Sequence, residues 1–138
     1  MRAEYNHNKI PPAPILDIQF SPPGESASMG SVPALVDTGS DFTLVPLSYL
    51  LRMDAPEARA AFLRGLWSEQ RPVTVYLVDL HLENRVLPDI EVVGIEDESS
   101  ETEEESEIIL GRNVLNRLIL LLDGPSEYAE ILERRPIR

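Results

Sequence analysis

Short apolar and β-branched runs, separated by clusters of turn residues, recur along the chain and predict a mostly-β domain. Residues 73–80 are the clearest run, because almost every position is β-branched or apolar. Glycine and proline in residues 21–31 and 123–126 mark turns between such runs. About eight short strands are expected, from runs at residues 15–20, 32–36, 42–45, 73–80, 86–87, 90–93, 119–122 and 128–132.

One or two short helices are expected among these strands. Residues 46–53 can form one that starts at Pro46, since proline suits a first helical turn. Residues 113–118 indicate another. Residues 56–64 also have helical propensity, although a mostly-β fold favours a loop or strand by about Phe62.

The length of 138 residues fits one domain. Residues 1–14 are polar and then proline-rich, which predicts a flexible or extended arm before a domain at residues 15–138. Residues 96–107 hold 8 acidic groups in 12 positions and interrupt this domain as an acidic insertion loop. The interpretation with fewest assumptions is a solvated insertion, because like charges at this density repel each other.

The net charge of −12 argues against nucleic acid and anionic membranes as partners, because both would repel the chain. No apolar run approaches the ~20 residues that span a bilayer, and the first nine residues lack the apolar core of a signal peptide. A soluble cytoplasmic protein is therefore expected. With no cysteine and only two distant histidines, neither a metal nor another cofactor is predicted.

A carboxylate with a fixed direction is predicted where the second strand ends. The apolar run at residues 32–36 leads directly into Asp37-Thr38-Gly39-Ser40, and another apolar strand follows at once. Gly39 allows a tight turn and a close approach to neighbouring backbone. The hydroxyls of Thr38 and Ser40 can orient the carboxylate beside them.

This tetrapeptide resembles the active-site signature of aspartic peptidases. A second segment, Ile108-Ile109-Leu110-Gly111-Arg112-Asn113, resembles the closing motif of the retropepsin-like branch, in which an apolar strand passes through the loop that carries Asp-Thr-Gly. The resemblance spans roughly residues 15–132. It implies a closed-barrel-like acid protease fold with one lobe per chain.

The chain has a single Asp-Thr-Gly, whereas a water-activating pair needs two carboxylates. The resemblance therefore implies a homodimer in which each copy supplies one Asp37, acting on a peptide or an unfolded protein segment without a cofactor. Two further interpretations stay open. One is a non-catalytic dimeric peptide-binding or scaffold module with the same fold, and the other is an unrelated small β-barrel with a chance Asp-Thr-Gly.

The resemblance also assigns roles around Asp37. Thr38 would bond across the dimer, and Ser40 would hydrogen-bond the carboxylate and favour its charged form. Asp41 and Arg112 would pair near the dimer interface, where Asn113 also belongs. The alternative for Asp41 and Arg112 is two unrelated surface charges.

A flap over the substrate is expected around residues 63–70, where Gly65 could supply flexibility and Leu66 and Trp67 could cover the substrate. Trp67 could equally pack in the core. The segment has one glycine, fewer than viral flaps have. After the closing helix the chain continues through a Gly124-Pro125 turn to another strand, which leaves the dimer contacts open.

Overall fold

A computed structural model describes residues 1–65, 68–96 and 107–137. These residues form ten strands and two short helices. The strands are β1 (Arg2–Glu4), β2 (Ile15–Ser21), β3 (Val32–Val36), β4 (Thr43–Pro46), β5 (Glu57–Arg64), β6 (Gln70–Leu82), β7 (Arg85–Ile95), β8 (Ile108–Leu110), β9 (Ile119–Asp123) and β10 (Tyr128–Leu132). The helices are α1 (Leu47–Arg52) and α2 (Arg112–Leu115).

Six strands close into a barrel in the order β2-β3-β8-β4-β7-β6, because β2 also pairs with β6. Alternate residues of each strand point inward, so β2 contributes Leu16 and Ile18 to the core while β6 contributes Val78 and Leu80. All four are at most 1% exposed. The predicted mostly-β, closed-barrel fold is confirmed, with ten described strands instead of about eight.

Strand β8 is the element that joins the two predicted motifs. It runs parallel to β3, with Val36 opposite Leu110, and antiparallel to β4 at Leu44 and Ile109. The chain between β3 and β4 therefore loops around the end of β8. This arrangement places residues 37–42 beside Gly111 and Arg112, although the two segments are about 70 residues apart in sequence.

The first strand contradicts the arm predicted for residues 1–14. Strand β1 pairs with β10 in a second, three-stranded sheet of order β1-β10-β9, and Ala3 is buried there. Tyr5 continues the attachment by donating its N–H to the carbonyl of Glu127, at 2.9 Å. Strand β1 lies in the polar part of this segment, before the prolines, and its partner β10 lies too far along the sequence to be recognised from local pattern.

Residues 56–64 do not form the helix that their propensity allows. They form β5, which pairs with β6 from Glu57 opposite Tyr76 to Arg64 opposite Gln70. Propensity is a weak prior that an available strand edge overrides. Of the loop or strand expected by about Phe62, the structure has a strand, which begins five residues before that position.

Other boundaries differ little from the predicted ones. Helix α1 follows Pro46, and α2 begins one residue before Asn113. The two runs at residues 86–87 and 90–93 merge into the single strand β7. Within the described part of the chain, neither helix has the length or the apolar character to cross a membrane.

Candidate active site

The loop at residues 37–40 holds the carboxylate of Asp37 by backbone contacts. The N–H of Asp37 donates to the carbonyl of Leu110 at 3.1 Å, which fixes the loop to β8. The N–H of Gly39 donates to Oδ1 of Asp37 at 2.9 Å. The carboxylate is half-buried and its direction is set, as expected for a group at the end of a strand.

Ser40 differs from its predicted role. Its hydroxyl donates to the carbonyl of Phe42 at 2.7 Å instead of to Asp37. Its N–H bonds the carbonyl of Asp37 at 3.2 Å, so Ser40 shapes the turn through its backbone. A hydroxyl has one proton to donate, and a nearby carbonyl two residues away is the better-placed acceptor.

Arg112 ties the loop to α2. Its Nη1 donates to the carbonyl of Thr38 at 2.8 Å, and its Nη2 contacts Oδ1 of Asp41. Its own N–H donates to the carbonyl of Ser40 at 2.8 Å. The structure thus brings Asp41 and Arg112 together within one chain, while the side chain of Asp41 stays 74% exposed.

A buried network supports this loop from behind, and the sequence did not reveal it. Thr43 is fully buried; its Oγ1 donates to Oδ1 of Asn113 at 2.9 Å and accepts the N–H of Gly111 at 3.1 Å. Asn113 then donates from Nδ2 to the carbonyl of Glu91 at 2.8 Å. A single polar residue in an otherwise apolar strand was the available signal for Thr43.

Asn113 therefore braces the site inside its own chain. It was predicted beside Arg112 as a residue of the dimer interface or site. Both of its side-chain hydrogen bonds join α2 to strands β4 and β7 of the same barrel.

Gly111 permits the close approach between the two motifs. A Cβ at this position would lie 2.2 Å from the carbonyl oxygen of Phe42 and 2.9 Å from that of Ser40. Both are backbone atoms, so no side chain can move aside to make room. The glycine of the closing motif is therefore a requirement of packing against the Asp37 loop.

A hairpin lies where the flap was predicted. Strands β5 and β6 are its arms, and the N–H of Gly65 donates to the carbonyl of Glu69 at 3.0 Å across the turn. Ser68 takes a φ of 64°, a left-handed conformation that tight turns use. Leu66 and Trp67 lie outside the described residues, as does the acidic insertion from residue 97 to 106.

The chain's chemistry at this site is that of a carboxylate held by amide groups. Across residues 1–65, 68–96 and 107–137, no three acidic or histidine side chains converge as a metal site would require.

Glu107, at the end of the acidic insertion, pairs with Lys9 at 2.9 Å. The opposite end of that insertion, at Glu96, follows β7 directly.

Solved structures share this arrangement of strands. The EIAV protease complexed with the inhibitor HBY-793 aligns with a TM-score of 0.53 and 18% identity, over 83% of this chain and 93% of that one. A retropepsin-like aspartic protease from Rickettsia conorii aligns with a TM-score of 0.58 and 11% identity, over 95% and 88%. No protein-family model and no curated protein matches the sequence. The retropepsin-like fold that the two motifs predicted is confirmed.

Proposed function

We propose that the chain is one half of a homodimeric aspartic endopeptidase, with Asp37 as its catalytic carboxylate and residues 15–138 as its peptidase domain. The observation that carries this proposal is the fixed carboxylate at the crossing of β3 and β8, held by Gly39 and braced through Arg112. A scaffold needs the barrel, but it has no use for an acidic group held in this way. Solved proteases of the same fold support the reaction class.

Two copies of Asp37 would share one proton, because carboxylates a few ångströms apart cannot both ionise. The ionised one removes a proton from a water molecule, whose oxygen attacks the scissile carbonyl carbon. The protonated one donates its proton to the carbonyl oxygen. Collapse of the tetrahedral species then breaks the C–N bond. The amine nitrogen takes the proton that the first Asp37 removed from water, and a hydroxyl of the diol gives its proton to the second Asp37, so the pair again shares one proton.

The hairpin of β5 and β6 would close over the bound peptide, with Gly65, Leu66 and Trp67 at its turn. Excluding water strengthens each electrostatic contact in the site and protects the reacting bond. The substrate would then be a peptide or an unfolded protein segment, since the exposed edges of β-strands bind chains in extended form.

Strand β9 is the surface that we assign to the dimer. It is one of the two edge strands of its sheet in the described chain, and it carries Leu121 and Leu122, which are 38% and 43% exposed. Neighbouring residues of a strand face opposite sides, so both faces of this edge expose leucine. An apolar edge without charge in its centre favours pairing with a second copy. The site then gains its second Asp37.

Cleavage of a peptide library at several pH values tests the function. Asp37→Asn should lower turnover by at least ~10²-fold, because it removes the general acid–base pair. Asp17→Asn, a strand carboxylate outside the loop, is the matched control and should keep activity. Cleavage that persists in Asp37→Asn would refute the assignment.

A non-catalytic dimeric peptide-binding module is the second candidate, and the hairpin turn with its single glycine favours it. Such a module would bind extended peptides or pepstatin-type inhibitors without cleaving any peptide at any pH. Binding measured alongside the cleavage assay separates the two functions.

A further inference from the structure

An ion pair ties the outer strand of the hairpin to the barrel. Arg59 of β5 donates from Nη2 to Oε2 of Glu91 in β7 at 2.9 Å, and from Nε to Oε1 at 3.4 Å. Strand β6 lies between these two strands, so the side chains reach across it. Two parallel contacts give the pair a defined direction as well as an attraction.

Strand β5 has little else to hold it. It pairs with β6 along one edge, and its other edge faces no strand in the described part of the chain. Six of its eight residues are exposed, and Phe62 is 71% exposed. The position of β5 over the barrel therefore depends strongly on the contacts that it makes beyond β6.

Glu91 is also the anchor of the network behind the catalytic loop. Its backbone carbonyl accepts from Asn113, and Asn113 accepts from Thr43. Through α2, the same network continues to Arg112, which bonds the carbonyl of Thr38 next to Asp37. One residue thus holds the hairpin by its side chain and the catalytic loop by its backbone.

Each partner keeps the other charged. The hydrogen bond that Arg59 donates lowers the pKa of Glu91, and the Glu91 carboxylate, by accepting this bond, raises the pKa of Arg59. Both side chains are about half exposed, so the pair is in contact with water. Its contribution to overall stability is accordingly small.

We propose that Arg59 and Glu91 are positioning residues that set the angle of the β5–β6 hairpin relative to the Asp37 loop. The inference rests on the proposed function in assuming that the hairpin closes over substrate, but the tie itself can be measured without catalysis. Breaking it should loosen the hairpin and leave the barrel folded.

Amide hydrogen exchange of residues 57–64 is the direct test. Arg59→Met and Glu91→Gln should each raise exchange in this strand several-fold, and the double variant Arg59→Glu with Glu91→Arg should restore slow exchange. Arg64→Met, on the same strand outside the pair, is the matched control. Trp67 is the single tryptophan of the chain and follows Gly65 by two positions in sequence, so acrylamide quenching of its fluorescence gives a second probe.

Cleavage kinetics provide the second test of this proposal. Each single variant should raise KM several-fold with kcat nearly unchanged, and the charge reversal should recover KM. Exchange at wild-type rates in both single variants, or no recovery in the charge reversal, overturns the proposal. If the wild type cleaves nothing, the proposed function fails while exchange and quenching still decide whether the tie exists.

Discussion

At the scale of single residues, the two motifs predicted the loop around Asp37 but not the residues that support it. Asp37, Gly39 and Arg112 could be identified because each lies within a short recognisable segment. Thr43 and Glu91 could not, because their partner Asn113 is 70 residues from the first and 22 from the second. Their role depends on how β4, β7 and α2 meet, and local sequence carries no record of that.

Gly111→Ala should destabilise the fold by about 2–3 kcal/mol, because its Cβ would overlap backbone atoms of Phe42. The Asp37 loop should also shift, so activity should fall with stability. Chemical denaturation measures the first effect. Gly124→Ala is the control, since nothing lies within 4 Å of its Cβ; equal losses in both variants would contradict the packing argument.

The ionisation of Tyr76 is expected to lower the stability of the fold at alkaline pH. Burial raises its pKa above the usual 10.0, and the negative charges of Glu57 and Glu96 raise it further. Because the folded state holds the phenol proton more tightly than the unfolded state, the stability that neutral Tyr76 contributes is complete below pH 10. It is lost as pH rises through the folded-state pKa. Tyr76→Phe should flatten the fall in the free energy of unfolding above pH 10. Parallel curves for the two proteins would contradict this cause.

At the scale of elements, alternation and turn residues were enough to predict most strands. They failed where a pairing partner decided the outcome. Residues 57–64 form β5 because they pair with the edge of the long strand β6. Residues 2–4 form β1 because they pair with an edge of β10. Both partners are strands that the sequence did predict, but a pattern within one segment does not say which edge remains free.

Leu122→Glu should weaken the dimer at least about tenfold, a change of about 1.4 kcal/mol, because it places a charge on the edge of β9. Cleavage should fall in parallel at low protein concentration and recover as concentration rises. Leu51→Glu is the matched control, since Leu51 is 63% exposed on α1. Analytical ultracentrifugation gives the dimer constant, and an unchanged constant would remove β9 from the interface.

At the scale of the whole molecule, charge is concentrated in one segment. Residues 96–107 hold 8 of the 24 acidic residues, and the rest of the chain has 16 acidic and 12 basic residues. Two such segments in one dimer would repel each other at neutral pH. Salt screens this repulsion over a Debye length of about 10 Å at 0.1 M.

We therefore expect the dimer to tighten below about pH 6, where carboxylates begin to protonate. Replacing Glu103, Glu104 and Glu105 with glutamine should tighten it at pH 7 in low salt and have little effect in high salt. Sedimentation across pH and salt measures both. A wild-type dimer constant that stays the same between pH 5 and pH 8 would contradict the electrostatic control.

The insertion of β8 between β3 and β4 also has a consequence for how the chain folds. The contacts that fix the Asp37 loop join residues 68 to 74 positions apart, as between Gly111 and Thr43 or Arg112 and Thr38. Contacts of such long range form slowly, because a large loop must close before they contribute any energy. On a ribosome, Asp37 emerges early, but its loop cannot be ordered until Leu110, whose carbonyl accepts the Asp37 N–H, has also been synthesised. A nascent chain is therefore expected to acquire its candidate catalytic geometry only after most of the domain has been made.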